Sequence, residues 1–494
     1  MPDFESTDEL LKAISQLEPQ ARQLEPDRHQ RSAWLMDLQQ NTDAFIGTLD
    51  QGKAYHRFND LESILHLHPE TDPCQSLAQV LDDLKKGMLQ KGLNPASGGH
   101  LGYIPGGGIY GGVLGDYLAA LYNQYAGIYY GGPGAVKIEN EILRWLNRWM
   151  GYPDGSLGNL TSGGSMANLI AIVTAREAFE IKSKEIAQCC IYLTQQAHHC
   201  IHKAIRIAGL GEAQLRTIPT DHRFKMNPEA LHSQIESDCS MGLKPFLLVG
   251  SAGTTDTGAI DPLEALGEIC QKYRIWFHVD AAYGGFFNKS QLKNPDQTTV
   301  QDSFKGISLS DSMAIDPHKG LFLSYGLGAV LIKDVKAMYQ AHYYRAAYMQ
   351  DTLHAQEELS PADLSPELTK HFRGLRLWIP LKLYGIKPFL ANLDEKILLC
   401  RYFYWEVQKL GFETGPYPET SVCIYRYVPS AGDANAFNQA IIDKVLDDGR
   451  VFISSTTLDG TFWIRLAVLS FRTHLQTIKI CLTLLENAVK SLKT

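Results

Sequence analysis

Between about residues 140 and 335 the chain alternates amphipathic helices with short, almost wholly apolar strands, and no other feature limits its fold as tightly. KIENEILRWLNRWMG carries apolar residues at helical spacing and stops near Gly151, and MANLIAIVTAREAFEIKSK repeats that spacing. QCCIYLTQ then reads as a strand, KAIRIAGLG as a helix, PFLLVGSAG as a buried strand and PLEALGEICQKYR as a helix. The strands IWFHVDAAY, SMAID and GLGAVLI follow. Strands that are apolar on both faces need cover on both faces, and the intervening helices supply it. The pattern therefore predicts an α/β fold around a mostly parallel sheet. Such sheets bind their ligands at the carboxyl ends of the strands.

The flanks read differently. Residues 1–95 are charged and Gln-rich at helical spacing, with breaks expected at Pro19, Pro26, Pro69 and Pro73. They cannot form a core alone and must pack on something else. Glycine concentrates between Gly98 and Gly134, as in HLGYIPGGGIYGG, which marks close backbone approaches or turns around a site. Residues 96–385 form the expected large domain. Within it, residues 340–370 carry Pro361 and Pro366 and read as a long mobile loop, a lid. Residues 386–494 read as a smaller α+β domain: a helix over Leu393–Leu410, the strand SVCIYRYV and a helix over Asn435–Asp448. The segments RVFISSTT and TFWIRLAVL then pair around the turn Leu458-Asp459-Gly460.

With 46 basic against 54 acidic residues, the net charge is −8, and no basic stripe for nucleic acid is indicated. Apolar runs fall far short of the ~18–20 residues of a membrane span. The start MPDFESTDELLK lacks the apolar stretch of a secretory leader. Nine scattered cysteines without a CxxC pair suit a reducing cytoplasm.

Chemistry is then sought at the strand ends. Lys319 in Asp-Pro-His-Lys-Gly follows SMAID, where desolvation is expected to lower its pKa and leave a nucleophilic amine; taken alone it also fits a surface turn. Asp280 ends IWFHVD, and a carboxylate there needs a cationic partner or acts as a helix or turn cap. Ala281 and Ala282 beside it leave room for a flat ring. Thr161-Ser162-Gly163-Gly164-Ser165 leads directly into a helix, which suits an anion site or plain capping. Thr254 and Thr255 add hydroxyls after PFLLVG. His198 follows CCIYLTQ, placed to stack on an aromatic ligand. Its i, i+4 spacing to His202 lacks the Glu of a zinc HExxH motif, and no metal is expected. Gly106, Gly108 and Gly111 satisfy G-x-G-x-x-G, but no strand precedes them, so a dinucleotide site is rejected.

An amine, a carboxylate, a phosphate cradle and a stacking imidazole at strand ends together suit pyridoxal 5′-phosphate. The ordered motifs TSGGSMANL, QQAHH, SAGTTDTGAIDPL, FHVDAAYGG and DPHKG resemble those of the group II pyridoxal-phosphate-dependent amino-acid decarboxylases. That group includes the aromatic-L-amino-acid, histidine, tyrosine and glutamate decarboxylases. The resemblance runs from about residue 75 to the end of the chain. It implies a type I, aminotransferase-like fold and a homodimer with active sites at the interface, joined through the N-terminal helices. It further implies that Lys319 is the Schiff-base lysine, that Asp280 pairs with the pyridine nitrogen, and that His198 stacks on the ring. Gly164, Ser165 and Thr255 fall to the phosphate, His318 lies at or beside it, and Ala282 lies against the ring. His100, Tyr103, Ile128, Tyr129 and Tyr130 fall in segments that line the family's substrate pocket, which modestly favours an aromatic substrate.

One departure stands out. The aromatic decarboxylases carry a proton-donating loop tyrosine a few residues before the segment matching Lys370-His371-Phe372-Arg373-Gly374-Leu375-Arg376. Here that stretch is SPADLSPELTK, and Tyr348 is the candidate replacement. The expected reaction is decarboxylation of an L-amino acid to its amine. The alternatives are oxidative deamination or transamination on the same cofactor, an acidic or diamino-acid substrate, or a non-catalytic scaffold.

Overall fold

The computed structural model describes residues 6–58, 67, 69, 75–104, 106–343 and 358–493. Helices α1 (Thr7–Ala21) and α2 (Arg28–Thr48) bury no residue at all. Pro19 does not end α1 as expected; it sits in the last turn, and the chain breaks only around Pro26. β1 (Tyr55–His56) pairs antiparallel with β2 (Gly92–Leu93), and α3 (Leu77–Leu84) between them begins at a Ser76–Gln79 capping box.

The central sheet has seven strands: β3 (Leu157–Thr161), β4 (Cys189–Leu193), β5 (Gln214–Thr217), β6 (Lys244–Ser251), β7 (Trp276–Asp280), β8 (Ser312–Ile315) and β9 (Gly328–Ile332). Their order is β3-β9-β8-β7-β6-β4-β5. Only β9 runs against its neighbours, pairing antiparallel with both β3 and β8. Every residue of β3, β4, β8 and β9 is buried, as the continuous apolar runs require. Helix α6 (Gly164–Ala178) packs across β3, β9, β8 and β7, while α8 (Pro228–Ser240) and α9 (Leu263–Tyr273) cover β6.

Two of these strands are not evident in the sequence. β3 is LGNLT, whose Gly158 and Asn159 disguise it. A side chain at 158 would put its Cβ 1.8 Å from the Val330 carbonyl oxygen. Asn159 spends its amide on the Pro361 carbonyl (2.7 Å) and accepts from Lys370 Nζ (3.3 Å). β5 is a short edge strand with alternating exposure.

The loop read over 340–370 is corrected in part. α11 (Val335–His342) fills its start, and residues 358–370 are tied down. Glu358 accepts from Asn140 (2.9 Å) and Arg144 (3.0 Å) on α5 (Pro133–Met150), and Leu364 is fully buried. Lys370 and Glu139 form an ion pair of 2.7 Å with neither side chain exposed. A segment so anchored is not a lid. Tyr348 lies outside the described residues.

The C-terminal unit carries β10 (Phe412–Thr414), β11 (Val422–Tyr427), β12 (Ser454–Leu458) and β13 (Thr461–Ala467) in the order β10-β11-β13-β12, all antiparallel. The β12–β13 turn places Asp459 and Gly460 at φ 48° and 76°, the left-handed pair that tightens a two-residue hairpin. α13 (Lys387–Lys409), α14 (Ala434–Asp448) and α15 (Leu475–Lys493) complete its core, which also takes in Leu101. Residues 99–101 run beside this unit: Leu101 N–H donates to the Phe452 carbonyl (2.8 Å), Phe452 N–H to Gly99 (2.8 Å) and Ala467 N–H to Leu101 (2.8 Å).

Candidate active site

The carboxyl ends of five parallel strands open into one cavity of about 340 Å³. β3 delivers Ser162–Ser165, β4 delivers Gln196 and His198, and β6 delivers Gly253–Thr255. β7 delivers Asp280 and Ala282, and β8 delivers Asp316, His318 and Lys319. All eight residues read as cofactor contacts line it: Gly164, Ser165, His198, Thr255, Asp280, Ala282, His318 and Lys319.

Lys319 Nζ lies 2.9 Å from Asp316 Oδ2, and the Asp316 side chain is 1% exposed. Burial works against the lysine's charge, but the carboxylates of Asp316 and Asp280 outweigh it and hold the pKa above the ordinary value. The expectation of a lowered pKa is thus reversed, because sequence placed only the desolvating strands around Lys319 and not the second carboxylate. Asp316 is reached by the close approach of β9: a Cβ on Gly328 would sit 2.5 Å from Asp316 Oδ1 and 2.6 Å from the Gly163 Cα. That oxygen has no hydrogen-bond partner of its own.

Asp280 Oδ1 accepts from Ala282 N–H (3.1 Å) and Oδ2 from Asn168 Nδ2 (3.3 Å). His198 caps α7 (His199–Ile207), its Nδ1 accepting from Cys200 N–H (3.3 Å), and its ring lies 4.1 Å from that of His199. Burial, then the nearby His199 and the Lys319 charge, push its pKa down to about 4, so it presents a neutral ring. His318 Nδ1 meets the Leu327 carbonyl at 2.7 Å, and burial lowers its pKa as well. Gly164 and Ser165 open the 15-residue α6, whose free N–H groups make a positive end.

The substrate-pocket candidates stand elsewhere in the single chain. Ile128 is buried and away from the cavity. His100 is fully buried with neither ring nitrogen bonded, 5.7 Å from the Phe452 ring, and burial pushes its pKa down to about 4. Tyr103 and Tyr130 are exposed, and Tyr129 is half-buried with its N–H on Ser360 Oγ (3.1 Å). None of the five lines the cavity. Sequence reasoning passed over Asp316, Asn168 and Tyr325, which do. Tyr325 arrives at the amino end of β9, the one strand that runs backwards, so a search of carboxyl ends does not find it. Its ring meets that of His318 edge-on at 5.8 Å.

Residues 65–422 match the pyridoxal-dependent decarboxylase conserved domain. The chain belongs to the pyridoxal-dependent decarboxylases. It is similar to an aromatic-L-amino-acid decarboxylase of Bacillus atrophaeus, 31% identical over 76% of this chain and 77% of that one. A tyrosine decarboxylase of Narcissus pseudonarcissus is 30% identical over 91% and 90% of the two chains. A phenylacetaldehyde synthase of Petunia hybrida is 27% identical over 94% and 93%. Among solved structures, Oryza sativa TDC with PLP and tryptamine superposes with a TM-score of 0.87 at 20% identity, covering 95% of this chain and 99% of that one.

This pyridoxal-dependent decarboxylase is a carboxy-lyase acting on an amino acid, and its cofactor is pyridoxal 5′-phosphate. The cavity fits that group. It combines a helix N-terminus and hydroxyls suited to a phosphate, a small Ala282 that leaves room for a flat ring, an amine suited to an aldehyde and a half-buried carboxylate suited to a ring nitrogen. A side chain is excluded at Gly164 in the cavity wall: a Cβ there would meet Asp316 Oδ2 at 3.0 Å and Ala282 Cβ at 3.1 Å. Among the described residues no cluster suited to a metal ion exists, and no helix is long and apolar enough to cross a membrane.

Proposed function

We propose that the protein decarboxylates an aromatic L-amino acid to its amine and CO2. The observation that carries this reading is the convergence of Lys319, Asp280, His198 and the α6 N-terminus on one cavity in a member of this family. The aromatic side chain is supported by relatives named for aromatic-L-amino-acid and tyrosine decarboxylation. When bound, the cofactor supplies the electron sink that accepts the pair left by departing CO2. Lys319 would hold its aldehyde and Asp280 its ring nitrogen. His198 would stack on the ring. Gly164 and Ser165 at the α6 N-terminus and Thr255 after β6 would bind the phosphate, with His318 at or beside it, and Ala282 would lie against the ring. Assay of purified holoenzyme against the aromatic, acidic and diamino L-acids tests the reading. CO2 and amine released fastest from an aromatic acid support it, and turnover confined to glutamate or a diamino acid overturns it.

The proton that replaces CO2 needs a donor, and residues 360–370 hold no tyrosine. Tyr325 lines the cavity, where burial raises its pKa against the opposing charge of Lys319 and keeps its phenol protonated. It joins Tyr348 as a candidate. Tyr325→Phe is expected to divert product from amine toward aldehyde with cofactor binding intact, read by chromatography of both products. An unchanged ratio in Tyr325→Phe together with a diverted one in Tyr348→Phe assigns the role to Tyr348.

The working unit proposed is a homodimer in the cytoplasm. α1 and α2 leave Leu10, Leu11, Ile14, Leu17, Trp34 and Met36 exposed, an apolar surface that a second subunit would cover. The eight described cysteines are all unpaired, as a reducing compartment keeps them. Sedimentation is expected to show a dimer, with an obligate interface above ~2,000 Å²; a stable, active monomer at micromolar concentration refutes it.

A further inference from the structure

From Asn168 at the cavity wall a run of polar groups leads away behind Asp280 into the sheet. β7 alternates, so Trp276, His278 and Asp280 share one face. Its register with β8 sets His278 opposite Ser312. His278, Ser312 and Asn168 are fully buried and Trp276 nearly so. Trp276 Nε1 donates to Ser312 Oγ at 2.8 Å, and His278 Nδ1 lies 2.9 Å from the same oxygen. His278 Nε2 lies 2.7 Å from Asn168 Oδ1. Asn168 Nδ2 reaches Asp280 Oδ2 and Cys200 Sγ, each at 3.3 Å.

The direction of every bond follows from what each group can donate. An indole N–H only donates, so Ser312 accepts from Trp276 and has its own proton free for His278 Nδ1. Asn168 Oδ1 only accepts, so His278 Nε2 carries the ring proton. The two N–H groups of Asn168 then serve the carboxylate and the thiol. Turning the amide over would set its oxygen against a carboxylate oxygen. The run is therefore one-way, and it ends on Asp280. Burial pushes the His278 pKa down to about 4, in keeping with the single ring proton this direction needs. Four polar side chains enclosed between the sheet and α6 are costly unless each is satisfied, and here they lead to a single side chain, Asp280.

We propose that Trp276, Ser312, His278 and Asn168 are positioning residues: a one-way hydrogen-bond chain that holds the Asp280 side chain aimed at the cofactor's ring nitrogen. This rests on the reading of Asp280 given above. It extends the site through the sheet to a tryptophan that is remote from the cavity lining.

The test uses holoenzyme reconstituted with cofactor labelled with ¹⁵N in the ring, whose chemical shift separates a protonated from a neutral pyridine nitrogen. Asp280→Asn sets the reference for a lost carboxylate. Ser312→Ala removes the only proton offered to His278 Nδ1 and is expected to move the resonance part of the way toward that reference. It is also expected to weaken cofactor affinity by about two- to tenfold, the worth of one neutral hydrogen bond. Ser312→Thr keeps the hydroxyl and is expected to restore both values. Asn168→Leu cuts the last link and is expected to shift the resonance further than Ser312→Ala does. Melting curves and circular dichroism confirm that each variant is folded, and Ser312→Ala, the smaller change, decides the matter where Asn168→Leu does not fold. A wild-type resonance in folded Ser312→Ala alongside a shifted one in Asp280→Asn overturns the chain while leaving the Asp280 assignment standing. An unshifted Asp280→Asn overturns both.

Discussion

Lys319→Ala is expected to abolish both the visible absorbance of the holoenzyme and its turnover. Among the described residues no other lysine lines the cavity, so none of them offers a second amine to capture the aldehyde. The change also strips Asp316 of the ammonium 2.9 Å away. Uncovering a buried carboxylate costs about 3–5 kcal/mol when its surroundings are closed. Lys319 is 23% exposed toward the cavity, so water reduces that to about 1–2 kcal/mol here. Lys319→Arg separates the two roles. It keeps a cation beside Asp316 and cannot form the covalent link, so its melting temperature is expected to approach that of the wild type while absorbance and turnover stay absent. A borohydride-reducible adduct on a different lysine in Lys319→Ala removes the assignment.

Asp280→Asn has the second largest expected effect. The amide is the same size and keeps the Ala282 N–H contact within reach, so the fold is expected to persist. What is lost is a charged acceptor. A hydrogen bond to a charged group contributes about 1.5–3 kcal/mol, which is about ten- to a hundredfold in cofactor affinity. Turnover is expected to fall further than affinity, since an uncharged ring is a poorer electron sink. The comparison is made by equilibrium titration of cofactor against steady-state CO2 release. Near-normal release from Asp280→Asn contradicts the role.

The large sheet was legible because five of its strands are short, nearly continuous apolar runs between amphipathic helices, and such runs have few alternatives. The cofactor residues were legible because a parallel sheet puts its ligands at carboxyl ends. Both rules fail at identifiable places. β3 hides as LGNLT because Gly158 and Asn159 are there for the neighbouring backbone and for Pro361 and Lys370, not for strand propensity. Tyr325 hides because β9 is reversed. The rise in the Lys319 pKa was illegible because it depends on Asp316, three residues away in a motif read for Lys319 and His318 but not for its aspartate. Proline and charge made residues 358–370 look loose. Their polar groups instead meet buried partners on α5, such as Glu139, that local composition does not reveal.

The hydrogen bonds between residues 99–101 and the Phe452 and Ala467 backbone have a consequence for how the molecule comes apart. Leu101 fills the C-terminal core although it lies almost three hundred residues upstream of α13. Thr473 Oγ1 further donates to the Gly98 carbonyl (2.6 Å), and Arg472 to Gly107 (3.0 Å). The last hundred residues are therefore not an autonomous folding unit. Produced alone, they would present an unfilled site for Leu101 and unpaired backbone at Phe452 and Ala467. A proteolytic nick between residues 385 and 390 would leave two fragments that stay associated through these contacts. Heating is expected to melt both sheets in one cooperative transition, because neither keeps its full set of contacts once the other has gone.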